Sequence, residues 1–145
     1  MKTQVLFFFI VLIGIGESKI HSQTYLDWSD LSEGISWESK TDLTIFKKAT
    51  FAPTLIALEG QEVIISGYFL ALEGTQSVYL LSKNPMASCF FCGNGGPETI
   101  IELQFAKKPS FVMDDLLSVN GILRLNRDNP NHCYYRIEKA EALSL

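Results

Sequence analysis

The chain has 145 residues, a formal net charge of −4 and three cysteines. Nucleic-acid affinity comes mainly from Lys and Arg neutralising phosphates, so this acidic balance predicts no nucleic-acid partner. The length suits one domain with one core.

The chain opens with Lys2 and an apolar run over residues 5–15, broken only by Gly14 and ending at Gly16-Glu17-Ser18. An ordinary membrane-spanning helix needs about 20 apolar residues. A positive start and a shorter apolar stretch predict a secretory signal peptide over 1–23, cut after Gln23, with a single domain at 24–145. The expected location is therefore exported, periplasmic or extracellular. No second long apolar run follows, so no membrane contact is expected once the signal is gone.

Residues 24–60 are the least regular part. Trp28, Leu31, Ile35 and Trp37 stand as apolar anchors among Ser, Asp and Glu. Ile35 and Trp37 alternate with polar neighbours and predict a first strand near 35–38. Residues 50–58 contain Pro53 and predict a covering loop or a short helical turn.

From residue 61 the pattern is strand-like. Over 62–72, Val63, Ile65, Gly67, Phe69 and Ala71 share one face. Over 116–126, Leu117, Val119, Gly121, Leu123 and Leu125 do the same. A period of two marks a half-buried strand. The glycine inside each strand predicts a bulge or strong coiling. Further strands are expected at 78–81, 99–105 and 133–139. Residues 114–118 are the one later stretch that could be helical. Many short strands with few helices predict an all-β fold: a small closed or partly open β-barrel of the oligonucleotide/oligosaccharide-binding (OB-like) kind, with a β-sandwich as runner-up.

The candidate site is Cys89-Phe90-Phe91-Cys92, followed by Gly93-Asn94-Gly95-Gly96-Pro97, which can only be a turn. Cysteines three apart on a turn can both point at one atom. Closed zinc sites take four ligands, so more donors are needed. His132 and Cys133 follow the turn 129–131, and adjacent strand residues face opposite ways. The strand phase puts Cys133 on the apolar face and leaves His132 to join Cys89 and Cys92, with zinc or copper as the metal. Met86 lies three residues before Cys89, and a thioether with two thiolates suits Cu(I) better than zinc.

Two other readings stand beside it. A Cys-x-x-Cys thiol oxidoreductase normally opens a helix, and the glycine run excludes one after Cys92. A structural disulfide would make the pair a staple in an exported domain. Glu98 is placed to hydrogen-bond the glycine turn, and Asp114-Asp115 reads as a solvated turn. The chain has no Gly-x-Ser-x-Gly, His-Glu-x-x-His or phosphate loop, and no catalytic carboxylate pair. Two functions therefore lead. One is a non-enzymatic module holding a soft metal at Cys89, Cys92 and His132. The other is a structural or interaction domain, stapled by the Cys pair, whose aromatic set Trp28, Trp37, Tyr68 and Tyr79 meets a protein or saccharide. An enzyme ranks third.

The blocks Leu58-Glu59-Gly60-Gln61-Glu62-Val63, Gly67-Tyr68, Ser88-Cys89-Phe90-Phe91-Cys92-Gly93, Gly96-Pro97-Glu98 and Gly121-Ile122-Leu123-Arg124-Leu125-Asn126 together resemble a family of small exported bacterial proteins of unknown function. The resemblance spans about residues 26–141. It implies a compact secreted β-domain and assigns no catalytic residue.

Overall fold

The computed structural model describes residues 23–38, 47–74 and 77–145. The predicted leader lies outside them except for Gln23. The elements in chain order are β1 (Thr24–Tyr25), α1 (Trp28–Glu33), β2 (Ile35–Trp37), β3 (Ala49–Phe51), α2 (Pro53–Leu58), β4 (Glu62–Leu72), β5 (Val78–Ser82), β6 (Ile100–Phe105), β7 (Leu116–Leu125) and β8 (Tyr135–Ser144).

Five of these strands close a barrel. β4 pairs antiparallel with β5, and β5 with β6. β6 runs parallel to β8, and β8 antiparallel to β7. β7 returns to β4, from Glu62↔Ile122 to Tyr68↔Leu116, which closes the ring. β1 adds a short parallel strand beside Val63 and Ile64 of β4. This is the predicted small all-β barrel. β2 and β3 form a separate antiparallel pair.

The alternation read along β4 and β7 is the packing that fills the barrel. Val63, Ile65, Phe69, Leu117, Val119 and Leu123 are at most 2% exposed and join Leu81, Ile101, Leu103, Tyr135 and Ile137 in one core. Trp28 packs on that core and donates its indole N–H to the Ser66 carbonyl at 2.8 Å.

The two strand glycines serve different purposes. Gly121 sits at the register shift between β7 and β8, where Lys139, at φ +51°, is left unpaired. That is the predicted bulge. Gly67 lies in unbroken register with β7, opposite Leu117. Its role is close approach: a Cβ there would sit 2.7 Å from the Ser82 carbonyl oxygen and 3.0 Å from the Trp28 ring. Neither glycine has positive φ.

α1 was not foreseen. Asp27 caps it by accepting from the Ser29 amide, and Asp30 reaches back to the Asp27 amide, a reciprocal capping box. Residues 114–118 are a turn and the start of β7, with no helix. Residues 50–58 divide between β3 and α2, the latter opening on Pro53 at its first turn.

Candidate functional site: the cysteine strap on the barrel wall

A half-buried barrel strand should bury every second residue. Around β5 this rule fails. Leu80, Leu81 and Ser82 are all buried, as are the adjacent Phe69–Leu70 and Ile100–Ile101 pairs. Both faces of the wall are covered there. The outer cover is the connection from β5 to β6, tied at its base by the Lys83 amide donating to the Thr99 carbonyl. Within it Cys89 is fully buried on Leu70 and Leu80, with Met86, Leu72 and Cys133 packed around. In OB folds the outer face of the second and third strands commonly binds ligands. Here that face is occupied by the protein's own strap.

The strap carries three 3-10 turns, Met86–Ser88, Phe90–Cys92 and Pro97–Thr99. Cys89 joins the first two, ending one and starting the next. Gly93, at φ +83°, ends the second. Cys89 itself is extended, at φ −83° and ψ 176°, so the chain bends there and brings Cys92 back toward Met86. Cys89 Sγ lies 3.8 Å from Met86 Sδ, and Cys92 Sγ donates to the Met86 carbonyl at 3.1 Å. Partial desolvation and then the adjacent Cys89 sulfur raise the Cys92 thiol above its usual range. All three cysteines are free thiols, Cys89 buried and Cys92 exposed. Phe90 and Phe91 meet edge to face, with Phe91 exposed.

His132 is elsewhere. Its Nδ1 lies 3.0 Å and 3.1 Å from the two Glu102 oxygens. Glu102 also accepts from the Cys133 amide at 3.2 Å, and Arg136 approaches it at 3.8 Å. Among the described residues no group of three or more His, Cys, Asp or Glu side chains is placed to hold a metal ion. The structure therefore brings Cys89 and Cys92 together but does not assemble them with His132. The physical reason is the nearer carboxylate of β6, which sequence spacing does not reveal. Cys133 does not face the barrel core as its phase implied: it is half-buried and packs against the strap's cluster outside the barrel. Burial, and then the Glu102 charge, push its thiol up to about 12.

Glu98 does bond the glycine turn, accepting from the Gly96 amide at 3.2 Å. The aromatic set does not form a shared face. Trp28, Trp37 and Tyr79 pack on the core, Trp37 edge-on to Tyr134 and Tyr79 stacked on Phe69.

Asp114 was missed as a structural anchor. Its carboxylate accepts from the Met86 amide at 2.7 Å, tying the strap to the turn before β7. Its φ of +67° is unusual for a residue with a Cβ. Asp114→Ala removes the acceptor and keeps the left-handed backbone, so a loss of about 1–2 kcal/mol is expected in urea unfolding. Unchanged stability would show that the strap needs no anchor there.

Among the described residues, no helix is long and apolar enough to cross a membrane. No family model, curated protein or solved structure matches the chain.

Proposed function

We propose that this protein is a small exported, non-catalytic interaction module, and that its partner is a protein docked on the outer face of β4, β7 and β8. The observation that carries the reading is an apolar surface at one end of these strands. Leu116 pairs with Tyr68 on one side and accepts the Leu145 amide on the other. Leu143 lies across from Ser118 on the same face. Leu116, Leu143 and Leu145 are 42%, 75% and 71% exposed. Exposed Val112 and Met113 stand in the turn leading to this end. Large contiguous apolar patches on small domains mark interaction sites more often than chance exposure does. The covered β5 wall removes the face that an OB barrel would ordinarily offer to a saccharide or oligonucleotide.

A photo-crosslinking residue at Leu143, compared with one at exposed Lys107, tests the reading in cells of the native host. A discrete adduct from position 143 is expected, lost on adding Leu116→Ser, while position 107 gives none. Exposed substitutions of this kind usually change stability by no more than about 0.5 kcal/mol, so the loss would report docking. Equal, diffuse labelling from both positions would overturn the proposal.

A further inference from the structure

We infer that Met86, Cys89 and Cys92 form a three-sulfur site for monovalent copper. The inference is independent of the docking face and rests on the sulfur contacts within the strap. Cys89 Sγ meets Met86 Sδ, and the Cys92 thiol reaches back to the Met86 carbonyl. The 3.8 Å between Cys89 Sγ and Met86 Sδ is already a ligand–ligand separation. Metal–sulfur bonds of about 2.3 Å at trigonal angles place sulfurs about 4 Å apart. Cys92 is exposed, Met86 half-buried and Cys89 buried, so the three donors run from the surface inward.

The donor chemistry selects the ion. Two thiolates and a thioether are soft ligands, which favour Cu(I). Structural zinc favours four Cys or His ligands, and His132 is turned to Glu102. On binding, two S–H bonds give way to two copper–thiolate bonds, the Met86 sulfur adds a dative bond, and two protons leave to solvent. Copper supplied as Cu(I) undergoes no change in oxidation state. Because binding releases these protons, affinity should rise with pH.

The test is anaerobic titration of the reduced full chain with Cu(I) against bicinchoninate. One ion per chain is expected, with a sulfur-only shell of three in X-ray absorption. Outer partners of metal sites are typically worth about 10–100-fold in affinity, so direct ligands should be worth more. Cys92→Ser should weaken binding by at least about 100-fold, and Met86→Leu by at least about tenfold with the shell reduced to two sulfurs. Met86→Leu keeps the side chain's bulk, and its urea midpoint distinguishes ligand loss from misfolding. His132→Ala and Cys133→Ser should leave affinity unchanged. The inference is overturned if bicinchoninate retains all the copper. It is equally overturned if Met86→Leu binds like the wild type, or if His132→Ala weakens binding as much as Cys92→Ser does.

Discussion

Tyr135→Ala should be among the most destabilising single changes in this chain, at about 3–5 kcal/mol. Tyr135 is 0% exposed and its ring packs against Phe51 with centroids 5.7 Å apart. Its hydroxyl donates to the Leu31 carbonyl at 2.7 Å. Leu31 stands near the end of α1, whose last carbonyls have no partner within the helix. The phenol therefore fastens the helix to the barrel as well as filling the core. Burial pushes the phenol's ionisation upward, so it remains a donor through the neutral range. Tyr135→Phe keeps the packing and removes only the bond, so it should lose about 1–3 kcal/mol. Urea midpoints of the two variants measure the two parts separately. A Tyr135→Phe protein as stable as the wild type would show that water satisfies the Leu31 carbonyl.

Gly121→Ala is expected to be nearly as severe, and for a steric reason. The added Cβ would stand 2.5 Å from Ile137 Cγ2 and 2.7 Å from the Glu138 carbonyl oxygen. The second of these is backbone and cannot turn aside. Overpacking of this kind costs about 1–3 kcal/mol, occasionally more, and Gly121→Val should exceed it. Gly60 is the control. Its φ is +81°, but its nearest neighbour to an added Cβ is Arg124 Nη1 at 3.7 Å. Gly60→Ala should show only left-handed backbone strain, about 1–2 kcal/mol. Thermal melts of the two alanine variants should rank Gly121→Ala lower. The reverse order would mean that the β8 bulge yields easily.

The long barrel strands were legible because one face of each meets a single environment. Glu62–Leu72 was read at its observed limits, and Leu116–Leu125 to within one residue. What escaped was whatever depends on a second cover. Leu70 and Leu80 fall on the nominally polar phase, and their apolar character was the trace of a strap lying outside the barrel. α1 was hidden by its Ser and Asp content, although Asp27 and Asp30 were the visible signature of its capping box. At the site, the turn joining Cys89 to Cys92 was legible from spacing and glycines. The destination of His132 was not, because Glu102 lies thirty positions away and only the parallel pairing of β6 with β8 brings them together.

The strap and the barrel are held by very different means, and so they need not open together. β4 is hydrogen-bonded along both edges, to β5 that follows it and to β7 more than forty residues on. Across residues 84–98, Cys89 alone is fully buried, and the backbone bonds are mostly local turns. Segments with few buried contacts open at far lower free energy than the global unfolding reaction. The most deeply covered thiol of the chain therefore meets solvent at the frequency of a loop movement, while the barrel beneath it stays closed.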